Sequence, residues 1–231
     1  MTSSPLPKQA LTLGGLLRRR LREVNRSAAQ LAEAVQVPSQ YIDDLITGAR
    51  RPPLPGRTDI YPKMTSFLRL SRNDLTACAS AERAATAADT RAPAAAVRRL
   101  LLDLCEPETA RVLEQRRGKQ ATAELAGFLQ RLLDVTQGSV RRLLDDQISL
   151  RLAAGERGTT YEVLRFRVLE FLDVTTETLT ADHFAEFVRP RIARWDIDLD
   201  TGVMKVALRN QEPRERPRRV AGRGPASAVG D

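Results

Sequence analysis

Residues 39–51 combine hydrogen-bonding side chains with a short apolar stripe. Ile42 and Leu45 lie three residues apart, a spacing that places both on one side of a helix. The opposite side carries only polar groups, on Ser39, Gln40, Asp43, Asp44 and Thr47. Hydroxyl, amide and carboxylate groups can form hydrogen bonds with base edges in a groove of duplex DNA. Arg50 and Arg51 follow directly, so the segment predicts a helix that combines hydrogen-bonding groups with nearby positive charge.

A helix with one apolar side must be held by neighbouring helices, and the flanking sequence predicts them. Apolar residues at three- and four-residue spacing, with capping residues before them, indicate five helices. These are Leu11–Val24, the segment from the cap Ser27 through Val35, Ser39–Thr47, Ile60–Leu68 and Ser71–Ser80. Gly48 is predicted to end the third helix in the left-handed conformation. Residues 50–56, rich in Pro and Gly, predict an extended turn, and the whole forms one compact unit.

A pattern of apolar and small residues runs through residues 13–52. Its members are Leu13-Gly14, Leu17-Arg18, Ser27, Leu31-Ala32, Val37, Ile42, Leu45, Gly48 and Pro52. With this pattern the segment resembles the lambda-repressor/Cro (Xre-type) helix-turn-helix family, and residues 67–75 match the family's closing helices. The resemblance implies two short helices that cross steeply, with the small Ala32 where they touch and Val37 filling the turn. It also implies that the 39–47 helix enters the major groove of DNA.

The resemblance assigns contacts to individual positions. The residues that it places in the major groove are Ser39, Gln40, Tyr41, Asp44 and Thr47. Arg50 and Arg51 are the implied phosphate contacts, and for Tyr41 a packing role is an equal alternative. The chain departs from the family pattern at Ala28, Gln36 and Ile46. Asp43 and Asp44 also place two carboxylates on the recognition helix, where they would repel nearby phosphates.

An internal repeat indicates a second copy of this unit. Residues 67–77 match 171–181 at an offset of 104, and positions 37, 42 and 45 match 135, 140 and 143 at an offset of 98. The repeat predicts a second recognition helix, Thr136–Leu144, capped by Thr136. Its outward side chains would be Gln137, Ser139, Arg141 and Arg142. Two alternatives stay open, that this helix also binds DNA or that a degenerate copy serves dimerisation.

These patterns divide the chain into five segments. A helix-turn-helix domain at 9–79 is followed by a helical linker at 80–118 and a second, degenerate helix-turn-helix-like unit at 119–187. Residues 188–208 are predicted as a helix end and a β-hairpin, because Asp200-Thr201-Gly202 separates two β-prone runs. The tail, 209–231, is basic and rich in Pro and Gly, and it is predicted to be disordered. The predicted fold class is therefore mostly α with one short hairpin.

Positive charge is concentrated at the two ends of the chain. The net charge is +8; residues 1–75 hold 12 Lys and Arg against 6 Asp and Glu, and residues 205–231 hold 7 against 3. Basic ends suit a polyanionic partner such as double-stranded DNA. No apolar run approaches the roughly 20 residues of a membrane span, and the first nine residues lack the apolar core of a signal peptide. A cytoplasmic protein without membrane contact is therefore expected.

Other kinds of chemistry are not indicated. Cys78 and Cys105 are too few for a disulfide framework or a zinc site, and both are predicted to be reduced. Asp196, Asp198 and Asp200 alternate along a strand and do not match a calcium loop, so all three are expected on its wet face. With a single histidine and no nucleotide-binding motif, neither enzyme activity nor a metal or cofactor is expected.

The sequence thus predicts a DNA-binding transcription regulator, a repressor that acts as a homodimer. Val97–Leu104 and the hairpin are the candidate surfaces for dimerisation. The alternative is a protein-interaction adaptor, or an antitoxin, that keeps the fold with weak or no DNA binding. Asp43 and Asp44 favour that alternative.

Overall fold

Helices dominate the part of the chain that the structure describes. The computed structural model describes residues 12–85, 95–116, 118–198, 201 and 203–209. Its α-helices are α1 (Leu13–Glu23), α2 (Ala28–Val35), α3 (Ser39–Thr47), α4 (Ile60–Leu68), α5 (Asp74–Ala85), α6 (Ala95–Leu102), α7 (Pro107–Gln115), α8 (Lys119–Asp145), α9 (Gln147–Arg157), α10 (Tyr161–Leu172) and α11 (Ala181–His183). A π-helical turn at Phe184–Val188 follows, and then the antiparallel strands β1 (Ile192–Asp198) and β2 (Val203–Leu208). The predicted mostly α fold with a short hairpin is confirmed.

Local signals in the sequence start and stop the first helices. Thr12 accepts a hydrogen bond from a backbone N–H in the first turn of α1 at 3.1 Å. Ser27 and Gln30 form a reciprocal capping box at the start of α2. Gly48 ends α3 in the left-handed conformation, with a φ of 79°. The predicted bounds of α3 and α4 are confirmed, whereas α5 begins three residues later than predicted, at Asp74.

Apolar side chains from the first five helices form one core. Leu17, Leu31, Ile42, Ile60, Met64 and Leu75 are each 0% exposed. Gly14 is the point of closest approach between α1 and α3, because a Cβ there would lie 2.5 Å from the carbonyl oxygen of Ile46. Only a residue without a side chain lets the two helices meet this closely. The packing on α1 therefore fixes which side of α3 faces the core.

The second recognition helix, predicted at Thr136–Leu144, does not form a separate element. Residues 119–145 form one continuous helix of 27 residues. The Thr136 hydroxyl donates to the carbonyl oxygen of Leu132 at 2.5 Å, which is a bond inside the helix and not a cap. At the offset of the repeat, position 136 corresponds to Pro38, and a proline disfavours the helical conformation of the residue before it. The prediction of a second helix-turn-helix is wrong, because Thr136 imposes no such restriction and the helix continues through it with Val135 exposed instead of filling a turn.

The C-terminal hairpin covers α6. Trp195 is 1% exposed, and its indole N–H donates to the carbonyl oxygen of Leu101 at 2.6 Å. Apolar side chains of the segment from Val97 to Leu104 are buried inside the chain and are not available to a second copy. Asp196 is half-buried and accepts a hydrogen bond from the Thr109 hydroxyl at 2.7 Å, so its predicted place on the wet face is wrong. Residue 200 and the predicted disordered tail beyond residue 209 lie outside the described residues.

Candidate nucleic-acid interface

The turn between α2 and α3 consists of three residues with separate roles. Gln36 adopts the left-handed conformation, with a φ of 60°, and reverses the chain. Val37 is 5% exposed and fills the space beneath the turn. Pro38, with a φ of −56°, precedes the first residue of α3. The turn directs α3 across α1 and α2, with both of which it packs.

One edge of α3 is open to solvent. Ser39, Gln40, Asp43 and Thr47 are exposed there, as the sequence predicted. The Gln40 amide donates to the Asp44 carboxylate at 2.7 Å, and the Thr47 hydroxyl donates to the carbonyl oxygen of Asp43 at 2.9 Å. The guanidinium of Arg18 donates to the carbonyl oxygen of Ile46 at 3.1 Å and puts a positive charge at the end of the helix. This edge can form hydrogen bonds with a ligand without rearrangement of the core.

The other edge of α3 packs against α10. Tyr41 is 3% exposed, and its ring meets the edge of the Phe166 ring with centroids 5.7 Å apart. Burial raises the pKa of the Tyr41 hydroxyl above its ordinary value of 10. Of the two roles considered for Tyr41, packing is therefore the one that the structure places it in.

Arg50 is held between the two rings at this contact. Its guanidinium carbon lies 5.1 Å from the Tyr41 ring centroid and 5.2 Å from that of Phe166. The same group pairs with the Glu170 carboxylate at 3.1 Å and approaches the Asp44 carboxylate at 4.0 Å. One residue that was predicted to bind phosphate thus pairs with carboxylates of its own chain.

A second ion pair, between α5 and the end of α10, also holds the turn after Arg50. The Arg83 guanidinium donates to the Asp173 carboxylate at 2.7 Å and to the Pro52 carbonyl oxygen at 2.5 Å. Burial raises the pKa of Asp173 above its ordinary value, against the lowering effect of Arg83. Arg51, the other predicted phosphate contact, is exposed and donates to the Arg83 carbonyl oxygen at 3.2 Å. We call the whole contact of α8 and α10 with residues 35–83 the seam.

Arg165 anchors the seam behind the α2–α3 turn. Its side chain is 0% exposed, and it donates to the Val35 carbonyl oxygen at 3.2 Å and to the Asp59 carboxylate at 2.6 Å. Lys63 also pairs with Asp59, at 2.9 Å. Burial alone would raise the pKa of Asp59, but the hydrogen bonds and charges of Arg165 and Lys63 outweigh it and lower the pKa. The Gln36 amide oxygen accepts a bond from the Tyr161 hydroxyl at 3.2 Å, so α10 grips this turn as well.

The residues predicted to project from the second copy divide into two groups. Gln137 is 3% exposed, and its amide donates to the carbonyl oxygens of Phe171 and Val174 at 2.9 and 2.8 Å. Its prediction as an outward contact is wrong, because α8 turns this position toward α10. Ser139 is half-buried, and Arg141 and Arg142 are exposed on α8. Arg141 and Arg142 therefore face solvent from a long continuous helix and not from a separate recognition helix.

Sequence reasoning missed the residues of α10 that cover α3. Arg165, Phe166 and Glu170 lie in α10 and Asp173 caps its end, whereas the readable pattern came from core residues of that helix such as Leu164 and Leu169. A cavity of about 370 Å³ opens where Glu170 and Asp173 face α3. Among its charged groups, Arg50 pairs with Asp44 and Glu170, while Asp173 pairs with Arg83. The sequence did not mark Arg165 as a buried residue. Its role becomes apparent only when its partners Val35 and Asp59 are known.

Three further findings concern the described residues outside the seam. Among the described residues, no group of three or more His, Cys, Asp and Glu could hold a metal ion. Cys78 and Cys105 are not joined to each other. None of the described helices is long and apolar enough to cross a membrane. No family model, no curated protein and no solved structure matches the chain.

Proposed function

We propose that this chain is a sequence-specific binder of double-stranded DNA and a transcription regulator, in which α3 enters the major groove. The observation that carries the proposal is the arrangement of α3 itself. Ile42 and Leu45, 0% and 2% exposed, hold it to the core, while Ser39, Gln40 and Thr47 remain exposed on a rigid helix. A helix fixed in this way can present the same donors and acceptors to successive base pairs.

Basic residues around α3 support a polyanionic partner. Arg18 lies at its C-terminal end, and Arg51 is exposed in the turn that follows. Such side chains would bind phosphates and set the position of α3 on the duplex, while Gln40 would read base edges. The exposed carboxylate of Asp43 accepts hydrogen bonds only, so it would favour a base edge that donates one, such as the cytosine amino group.

A second recognition helix would come from a second copy of the chain. Because α8 is continuous, one chain supplies only α3. Two-fold symmetric dimers place their two recognition helices about one helical turn of DNA apart. Repression by a homodimer on a palindromic site is therefore part of the proposal, and sedimentation of the chain with and without duplex tests it.

One specific observation favours a second candidate function, a protein-interaction adaptor without DNA binding. Contacts within the chain occupy Tyr41, Asp44 and Arg50. The exposed Asp43 adds a negative charge to the open edge of α3. An adaptor would use the open edge of α3 for a protein ligand. Its binding would not show the steep salt dependence that release of counterions from DNA produces.

The experiment is selection from a randomised duplex pool, followed by fluorescence anisotropy of the intact chain across a salt series. We expect a defined sequence preference and an affinity that falls steeply with salt. Gln40→Ala should lower affinity for the selected site and relax its sequence preference, whereas Gln115→Ala, an equal change on exposed α7, should do neither. Absence of binding at low salt would reject DNA binding and leave the adaptor.

A further inference from the structure

We infer that α10 is an internal competitor of DNA, in which Glu170 occupies Arg50, an arginine that would otherwise meet a phosphate. The inference rests on the proposed function, since it concerns how the α3 edge is regulated. It concerns the seam, where Tyr41 and Arg50, which the sequence predicted as DNA contacts, are instead covered by a helix of the same chain. A phosphate contact at Arg50 then requires that the contact between α10 and α3 be displaced.

The first step of the argument is the chemistry at Arg50. A guanidinium recognises a carboxylate and a phosphate by the same planar array of donors. Glu170 takes Arg50 at 3.1 Å, and the side chains of the pair are 29% and 32% exposed. A pair this accessible is in exchange with other anions in solution. A phosphate that reached Arg50 would have to replace Glu170.

The second step is that a second acidic residue, at the end of α10, holds the same part of the chain. Glu170 and Asp173 lie three residues apart, so both face the same side of the chain from one end of the helix. Asp173 pairs with Arg83 at 2.7 Å and accepts the backbone N–H of Leu54 at 3.2 Å. Two negative groups at one end of α10 thus take up Arg50 and the Leu54 N–H, both after α3, and Arg83 of α5. Together they keep α10 in place beside Arg50.

The third step is the cover over Tyr41. Phe166 lies against Tyr41 and Arg50 together, so the apolar part of α10 keeps this edge of α3 from any other partner. Only the edge with Ser39, Gln40 and Thr47 stays open. The intact chain can therefore make the DNA contacts of this open edge. Competition between Glu170 and a phosphate for Arg50 then limits its affinity for DNA.

Glu170→Gln tests the competition, because it removes the negative charge that pairs with Arg50 while keeping the shape of the Glu170 side chain. We expect the intact variant to bind the selected duplex about two- to fivefold more tightly, the range for a half-exposed ion pair. Its salt slope should steepen by up to about 0.9, since Arg50 then neutralises one more phosphate. Phe166→Leu, which keeps an apolar side chain but removes the ring beside Arg50, should also raise affinity.

The matched control is Glu162→Gln, which removes the same charge from the exposed first turn of the same helix. It should leave affinity and slope unchanged, and Arg50→Gln combined with Glu170→Gln should cancel the gain. An equal gain in Glu162→Gln would mean that net charge alone acts and would overturn the inference. So would wild-type binding that Glu170→Gln does not alter, although the proposed function would then stand. If neither wild type nor any variant binds duplex, the proposed function fails and the inference falls with it.

Discussion

The α2–α3 pair and the middle of α8 share a sequence pattern and differ in structure. Val37, Ile42 and Leu45 correspond to Val135, Val140 and Leu143 at a constant offset. In the first region the chain reverses at Gln36 and forms two helices, whereas in the second it continues as one helix from residue 119 to 145. Val37 is 5% exposed and Val135 is 39% exposed, so the valine that fills the first turn faces outward in the second region.

The difference teaches that an apolar pattern records which residues face a core but not where a helix ends. Ile42 and Val140 are each 0% exposed, so this position of the pattern faces the core in both regions. The ends depend on the backbone conformation at a few residues, such as the left-handed Gln36, and on the contacts of the side chains beside them. Pro38 disfavours helix at the residue before it, while Thr136 satisfies its hydroxyl inside the helix.

The largest effect is expected from forcing the second region to resemble the first. Thr136→Pro removes a backbone N–H from the interior of α8 and brings the proline ring against the preceding turn, so it should cost about 3 kcal/mol or more of unfolding free energy. Urea denaturation followed by circular dichroism measures this. Ala121→Pro in the first turn of α8, where the backbone N–H groups have no partner within the helix, should cost less. Equal costs would mean that the middle of α8 is not a rigid helix.

The next effect concerns what holds α3 in place. Gly14→Ala puts a Cβ 2.5 and 2.6 Å from the carbonyl oxygens of Ile46 and Leu45, so α1 and α3 must separate. We expect a loss of about 2 to 3 kcal/mol, typical of overpacked cores. Gly127→Ala in α8 meets nothing within 4 Å and should be neutral or stabilising by up to about 1 kcal/mol. A neutral Gly14→Ala would contradict the close packing of α1 on α3.

An intermediate effect should appear as a dependence on pH. The turn after α2 is held from outside by Arg165 and Asp59, a support that α8 does not need. Because the folded pKa of Asp59 is lowered, its contribution is present above the ordinary value of 3.8 and is lost as pH falls through the folded value. Asp59→Asn should cost about 1 to 2 kcal/mol near neutral pH.

The sign of that dependence supplies the check. The difference in unfolding free energy between wild type and Asp59→Asn should shrink below pH 3.8, where the unfolded carboxyl becomes protonated. Asp43→Asn, which alters an exposed carboxyl on α3, should show no comparable change. A difference that grew toward acid pH would show that Asp59 is not stabilised in its charged form.

The smallest effect is expected at the residue that separates the two regions. Pro38→Ala should cost about 0.5 to 1 kcal/mol, mostly through the greater freedom of the unfolded chain. The far-ultraviolet circular dichroism should stay the same, because Gln36 and Val37 retain their contacts. A rise in helicity would instead show that Pro38 alone prevents α2 and α3 from merging into one helix like α8.

Features that depend on neighbouring residues could be predicted from the sequence, and features that depend on distant residues could not. The caps at Ser27 and Gly48 act over a few residues and were readable, so the bounds of α2 to α4 were predicted closely. The exposed edge of α3 was predicted in the same way, from periodicity alone. Gln137 and Asp196 were misplaced because their partners lie 34 to 87 residues away, a distance that no local pattern spans.

The sequence by itself determined the five-helix unit, the hairpin and the polar edge of α3, because helix periodicity, caps and prolines act on neighbouring residues. Only the tertiary structure decided that α10 covers Tyr41 and takes Arg50 with Glu170. That contact joins residues 120 apart in sequence, and any exposed acid could have paired with Arg50. Which acid does so depends on how α8 orients α10, and the orientation follows from the packing of whole helices.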